Sequence, residues 1–217
     1  AAAEEIAAWL RVAGAAPSVG LAGGTTPRAA YERLRRLRLP WETVDVWLTD
    51  ERFVPPDHPD RNGAMARQAL IDHVPARFHA VPHLPEDPAR SAAAYEEELA
   101  GFLPVGSAGL QAGLVLLGVG EDGHTASLFP GSRAMEARHG GFVADEVPGR
   151  GERLTATLPL LASARRTMFI VSGRHKAAIV AEVLEGHPDL PAAVVSERAR
   201  DPVWRLDRDA AAGLHLD

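Results

Sequence analysis

Leu114-Val115-Leu116-Leu117-Gly118-Val119-Gly120-Glu121-Asp122-Gly123-His124-Thr125-Ala126-Ser127-Leu128-Phe129-Pro130 passes from an apolar run into a glycine-rich turn. The opening four residues read as a strand buried on both faces. The turn then carries an acidic pair and a histidine past the strand's carboxyl end, where ligands bind in open α/β sheets. A histidine beside a carboxylate has the makings of a general base with its orienter, because imidazole exchanges protons near neutral pH. Taken alone, the segment also admits a plainer reading, a tight turn whose histidine caps the next helix.

Gly118-Val119-Gly120-Glu121-Asp122-Gly123 also matches the dinucleotide-binding fingerprint G-x-G-x-x-G. Three features oppose that reading. Glu121 and Asp122 would repel a pyrophosphate, and the following helix could run only from His124 to Phe129 before Pro130-Gly131 ends it. The ribose-binding acid should lie about 20 residues on; Asp145 and Glu146 are near that distance but fall in a Gly/Pro-rich stretch.

Outward from this segment, apolar runs alternate with helical patterns. Helices are expected over residues 2–13, 27–38, 64–71, 87–99 and 173–184, and strands over 18–22, 44–48, 114–117, 153–158, 168–171 and 203–206. Residues 78–81 and 193–195 read as extended, and 140–151 as a loop excursion. This alternation predicts an α/β fold: a Rossmann-like three-layer arrangement with a mainly parallel sheet covered by helices on both faces, as a single domain over residues 1–217.

A chain of 217 residues with 46% hydrophobic and 24% charged content has the composition of a soluble globular protein. No apolar run approaches the roughly 20 residues that span a bilayer, and Glu4 and Glu5 spoil any signal-peptide pattern. The chain opens on Ala1, which leaves room for a missing native N-terminus and a leading strand lost with it. With no cysteine there is no disulfide, thiolate metal site or cysteine nucleophile, and a cytoplasmic location is expected. The net charge of −6 argues against nucleic acid. Arg33, Arg35, Arg36 and Arg38 read as a solvated helix face.

Two more clusters follow strands. Ser18-Val19-Gly20-Leu21-Ala22-Gly23-Gly24-Thr25-Thr26-Pro27 runs into a Gly-Gly pair, two hydroxyl residues and a proline suited to a first helical turn. Free N–H groups at such a start make an anion site, with Thr26 as N-cap; an ordinary strand-to-helix turn remains the alternative. The segment lacks a P-loop lysine. Lys176, the only lysine, stands at the next strand-to-helix turn, Ser172-Gly173-Arg174-His175-Lys176. A cation there opposes the helix dipole and makes sense beside a bound anion. Thr49-Asp50-Glu51-Arg52 places mixed charges at a third strand end, as a site or as a salt-bridged turn. His58, His73, His79, His83, His139, His187 and His215 lack metal-ligand spacing, so no metal site is expected.

These segments, together with Arg153-Leu154-Thr155, resemble the 6-phosphogluconolactonase family over nearly the whole chain. The related glucosamine-6-phosphate deaminases share Asp-Gly-His but continue with Ile-Ala-Phe and Asn-Glu-Pro, where this chain has Thr125-Ala126-Ser127-Leu128-Phe129-Pro130. The resemblance implies hydrolysis of a phosphosugar lactone in the pentose phosphate pathway, without metal or cofactor. It makes His124 the general base, with Asp122 or Asp50 orienting the histidine or the water. Arg52 or Arg153 would stabilise the oxyanion or hold the substrate, and Gly23, Gly24, Thr25, Thr26 and Lys176 would grip the phosphate. The chain departs from the family pattern at Asp60-Arg61-Asn62-Gly63, where Asp-Ser-Asn-Tyr is usual, and at Val147-Pro148-Gly149-Arg150-Gly151, where a proline-rich lead-in is usual. The rival readings are a deaminase or isomerase of the same fold and a sugar-phosphate sensor. The partner expected is a small molecule, with no nucleic acid or membrane; the oligomeric state stays open, a monomer being the working expectation.

Overall fold

Every residue of Ser18–Leu21, Asp45–Leu48 and Leu114–Leu117 is buried. Successive side chains of a strand point to opposite faces, so these segments require cover on both sides of a sheet. The computed structural model describes residues 1–14 and 17–215. In chain order its strands are β1 (Ser18–Leu21), β2 (Asp45–Leu48), β3 (Asp50–Arg52), β4 (Arg77–Phe78), β5 (Val105–Gly106), β6 (Gly109–Leu110), β7 (Leu114–Leu117), β8 (Phe142–Val147), β9 (Gly151–Ala156), β10 (Arg166–Val171) and β11 (Pro202–Leu206). The helices are α1 (Ala2–Val12), α2 (Thr25–Leu34), α3 (Asn62–Ala69), α4 (Pro88–Ala100), α5 (Arg133–Glu136), α6 (Leu158–Ala162), α7 (Ala177–Ala181) and α8 (Pro191–Arg198). None among the described residues is long and apolar enough to cross a membrane.

The main sheet has the order β11-β10-β7-β1-β2-β4, and all of its neighbours pair in parallel. The ends of β1, β2, β7 and β10 therefore face the same way, as the polar cluster after each apolar run requires. Beside it, β3, β9 and β8 form an antiparallel sheet, and β5 and β6 a short ribbon. The core joins Trp47, Tyr31, Tyr95 and Phe169 to the leucines of β1, β2 and β7.

The two sheets meet at Thr49, which is fully buried. Its N–H donates to the Leu21 carbonyl (3.0 Å), and its own carbonyl accepts from the Ala156 N–H (2.8 Å). One residue thus ends the parallel ladder after β1 and opens the antiparallel one with β9. Two buried tyrosines satisfy backbone groups at the same level. Tyr31 donates to the Ala22 carbonyl (3.0 Å); Tyr95 accepts from the Leu48 N–H (2.8 Å) and donates to the His79 carbonyl (2.9 Å). Burial pushes both phenols up, so they stay protonated.

Several expectations are corrected. Residues 193–195 lie in α8 rather than in an extended segment: Pro191 presets the first turn, and Ala192 N–H docks on the Gly123 carbonyl (3.0 Å). Residues 140–151 are largely strand, because β8 pairs in register with β9 from Phe142↔Ala156 to Val147↔Gly151. That pairing ends the strand expected over 153–158 at Ala156, and α6 begins at Leu158. No helix follows His124. Thr125 donates its hydroxyl to the Gly118 carbonyl (2.8 Å), Gly120 N–H donates to the His124 carbonyl (2.8 Å), and Ala126 takes a φ of 47°. The segment 173–184 splits into a 3₁₀ turn (Arg174–Lys176), α7 and a π turn (Glu182–Gly186). Helix α2 starts at Thr25 after Gly24, so Thr26 is inside it and not its cap; its hydroxyl bonds Ser172 Oγ (2.8 Å) instead.

Tyr95→Phe tests how the end of β2 is held. It strands the buried Leu48 N–H and His79 carbonyl, and urea unfolding should show a loss of about 1–3 kcal/mol with an unchanged m value.

Candidate active site

Strand alternation sends the consecutive acids of β3, Asp50 and Glu51, to opposite sides, and both are buried. Glu51 faces the start of α3. Its carboxylate accepts from the N–H groups of Arg52 (2.9 Å), Asn62 (2.7 Å) and Gly63 (2.8 Å) and from Arg61 Nε (3.3 Å). Burial pushes its pKa up, while the amides and Arg61 hold the anion. Arg61 also donates to the carbonyls of Val54 (3.2 Å) and Val81 (2.7 Å). The two departures at 61 and 63 are therefore structural here: Arg61 supplies the counter-ion of Glu51, and a Cβ at Gly63 would lie 3.2 Å from the Glu51 carboxylate and 3.4 Å from Leu48.

Asp50 faces the cleft. Ser127 donates its hydroxyl to Asp50 Oδ2 (2.7 Å), and Asn62 donates its amide to Asp50 Oδ1 (3.3 Å) and to the Asp50 carbonyl (2.9 Å). Burial pushes the Asp50 carboxyl up, against the Ser127 hydrogen bond and the charges of Arg52, His124 and Arg153. Asn62 Oδ1 in turn accepts from Arg52 (3.1 Å), which also bonds the Asp60 carbonyl (2.6 Å). A side chain at Gly23 would put its Cβ 1.9 Å from Asn62 Oδ1, so only glycine lets Asn62 in.

His124 Nδ1 bonds Asp122 Oδ1, and the His124 N–H reaches the same oxygen (3.3 Å). Asp122 Oδ2 accepts from Arg150 (2.9 Å). Burial alone would raise the Asp122 carboxyl, but the bonded His124, with Arg150, pulls it below the usual carboxylate range. The ring stacks on Phe129 with centroids 4.4 Å apart. A Cβ at Gly120 would fall 2.0 Å from His124 Nδ1 and 2.7 Å from Asp122 Oδ1, which fixes glycine there too.

A cavity of about 280 Å³ gathers Gly23, Gly24, Asp50, Arg52, His124 and Lys176 with Asn62, Gly118, Gly120 and Ala126. Of the remaining residues singled out in the sequence, Asp122 supports His124 from outside the lining, and Arg153 stands opposite Arg52 in the β3–β9 register. Burial and the Arg52 guanidinium press the Arg153 pKa down. Thr25 and Thr26 line a separate depression with Ser172. A larger cavity of about 880 Å³ between α4 and β8 is lined by Glu96, Glu97, Asp145, Glu146 and Glu152 with Arg133. Its acidic wall repels phosphate esters, so size does not locate the site. Among the described residues no group of three His, Asp or Glu is arranged to hold a metal ion.

The sequence alone assigns no role to three residues of the site, Asn62, Ser127 and Arg150. Asn62 could have been found as a polar residue at a helix start shortly after the Asp50 cluster. Ser127 and Arg150 act across chain separations of 77 and 28 residues, which no local pattern reports.

The family model of the glucosamine-6-phosphate isomerases/6-phosphogluconolactonases matches residues 1–204. A 6-phosphogluconolactonase of Synechocystis sp. is 39% identical over 204 residues, covering 91% of this chain and 84% of that protein. One of Nostoc sp. is 39% identical over 206 residues, covering 92% and 84%. The solved 6-phosphogluconolactonase from Trypanosoma brucei superposes with a TM-score of 0.85 at 29% identity, covering 99% of this chain and 93% of that one.

Arg61→Ala should cost about 3–5 kcal/mol in urea unfolding, because it leaves a buried carboxylate without its cation. A loss below about 1 kcal/mol would mean that the amides of α3 alone suffice for Glu51.

Proposed function

The chain belongs to the glucosamine-6-phosphate isomerase/6-phosphogluconolactonase family, and from that premise we propose that it hydrolyses 6-phospho-D-glucono-1,5-lactone to 6-phospho-D-gluconate with His124 as general base. The observation that carries this reading is that His124, backed by Asp122, lines the same cavity as Gly23, Gly24 and Lys176. With Asp122 on Nδ1, the tautomer protonated there leaves the Nε2 lone pair to act as base.

Nε2 takes a proton from water as the water oxygen bonds to the lactone carbonyl carbon. The resulting tetrahedral oxyanion collapses, the bond to the ring oxygen breaks, and the imidazolium returns the proton to that oxygen. Arg52, which lines the cavity, meets the developing negative charge. Arg153, across the strand pair, holds the sugar hydroxyls or shares that charge. Gly23, Gly24 and the first amides of α2 receive the phosphate together with Lys176, and this remote grip orients the reacting carbon. Thr26 contributes through its backbone, since its hydroxyl is bonded to Ser172. Asp50 keeps Ser127 and Asn62 in place and so sets the loop on which His124 rides.

His124→Asn keeps a polar side chain and removes the base. Its kcat for lactone hydrolysis, after subtraction of the spontaneous reaction, should fall roughly 10²–10⁴-fold with KM little changed. A near-wild-type rate would move the base role to Asp50. A glucosamine-6-phosphate deaminase assay on the same preparation should be negative; a positive one would favour the sister activity.

Lys176→Ala should raise KM for the phosphorylated lactone roughly 10- to 100-fold, the range of a hydrogen bond to a charged group. Hydrolysis of unphosphorylated gluconolactone should be nearly unaffected. Equal losses on both substrates would show that Lys176 does not meet the phosphate.

A further inference from the structure

We infer that Arg150, at the tip of the β8–β9 hairpin, is a positioning residue for the base: it closes a ring with Asp122, His124 and Phe129 that fixes the imidazole for proton transfer. The inference rests on His124 being the general base.

The ring is continuous. Arg150 Nη2 donates to Asp122 Oδ2 at 2.9 Å. Asp122 Oδ1 bonds His124 Nδ1. The His124 ring stacks on Phe129 at 4.4 Å, with 28° between planes. The Arg150 guanidinium carbon lies 5.0 Å from the Phe129 centroid, which closes the circuit. Both oxygens of Asp122 are thereby occupied. A carboxylate held at one oxygen only can rotate about its own bond; held at both, it presents Oδ1 to Nδ1 in one orientation. Phe129 sets the plane of the imidazole, and Arg150 holds both the second oxygen of Asp122 and the Phe129 ring.

As a stabilising contact the pair counts for little. The Arg150 and Asp122 side chains are 47% and 40% exposed, and pairs of that kind contribute little to folding. What the geometry supplies is orientation, and general-base catalysis depends on it. Arg150 also leads into β9, which carries Arg153 and pairs with β3, the strand of Asp50 and Arg52. One short hairpin therefore connects the base on one wall of the cleft to the arginines on the other.

The test is a double-mutant cycle with lactone hydrolysis as readout. Arg150→Ala should lower kcat roughly tenfold with KM within about twofold of the parent, and Arg150→Lys should recover part of the loss. In the His124→Asn background, Arg150→Ala should change kcat by less than about twofold, because the group it positions is gone. The ring ¹⁵N shifts of His124 supply a second measurement. The parent should show the Nδ1–H tautomer, and Arg150→Ala a mixture. The inference is overturned by an unchanged kcat in Arg150→Ala, by a raised KM at constant kcat, by the same loss in both backgrounds, or by an unchanged tautomer. A near-parental rate in His124→Asn alone would instead remove the general-base reading on which it rests, and that single variant shows it independently. The urea midpoint of Arg150→Ala should match the parent, since the pair is half-exposed.

Discussion

Two consecutive carboxylates, Asp50 and Glu51, are buried on a three-residue strand, and the groups that satisfy them tie the segments around the cleft to that strand. An unpaired buried carboxylate is untenable, so each acid has to recruit donors. Because they point to opposite sides of β3, they recruit from different segments. Glu51 collects the first amides of α3 and the Arg61 guanidinium, which binds residues 61–63 to the strand. Asp50 collects Ser127 from the His124 loop and Asn62 from the same helix start. Burial of charge thus brings together segments 10 to 77 residues apart in sequence, and the contacts that satisfy the acids also set the position of Arg52 and of the loop carrying His124. Buried ion pairs add little net stability but can specify geometry, and here the geometry they specify is that of a cleft.

The rest of the frame allows this by letting backbones approach closely. Thr49 passes the chain from the parallel sheet to the antiparallel one within a single residue, so the strand that bears the acids leaves the main sheet where β1 also ends. Glycine at 23 and 120 removes the Cβ atoms that would strike Asn62 and His124. Each of these glycines faces a polar side chain that carries part of the site, so neither position is free to change without moving chemistry.

What could be read in the sequence follows from what is local. The strands β1, β2, β7 and β10 are apolar runs ending in glycine or charge, and a fully buried parallel strand has little other signature. His124, Asp50 and Lys176 could be placed because each immediately follows such a strand. The strand β8 was hidden: Phe142, Val143 and Ala144 are followed by Asp145 and Glu146, and only the register with β9 makes the segment extended. Residues 193–195 read as extended because two valines favour strands, whereas Pro191 and the dock onto Gly123 favour a helix. Asn62 has only its place at a helix start to mark it, and Ser127 and Arg150 have no local signal at all. Their partners are fixed by sheet pairing and helix placement, which belong to tertiary structure and leave no periodicity along the chain.

The electrostatics of the cleft run against those of the whole molecule. The chain carries a net charge of −6, and a cavity of about 880 Å³ between α4 and β8 has five carboxylates in its lining. Around His124, however, Arg52 and Lys176 line the cavity, Arg153 pairs across from Arg52 and Arg150 binds Asp122, while the acids are already engaged: Asp50 by Ser127 and Asn62, Asp122 by His124 and Arg150. Local potential, not net charge, steers a ligand at close range, because a cleft with low-dielectric walls focuses the field of the charges that line it. Arg153 shows the strain of this arrangement, since its pKa is pressed down by burial and by the like charge of Arg52 beside it. Such crowding of cations is unfavourable by itself and is relieved by a bound anion. On the proposed reading, the same charges suit an acidic protein to a phosphorylated, negatively charged substrate, and give the guanidinium groups beside the cleft a counter-charge when that substrate binds.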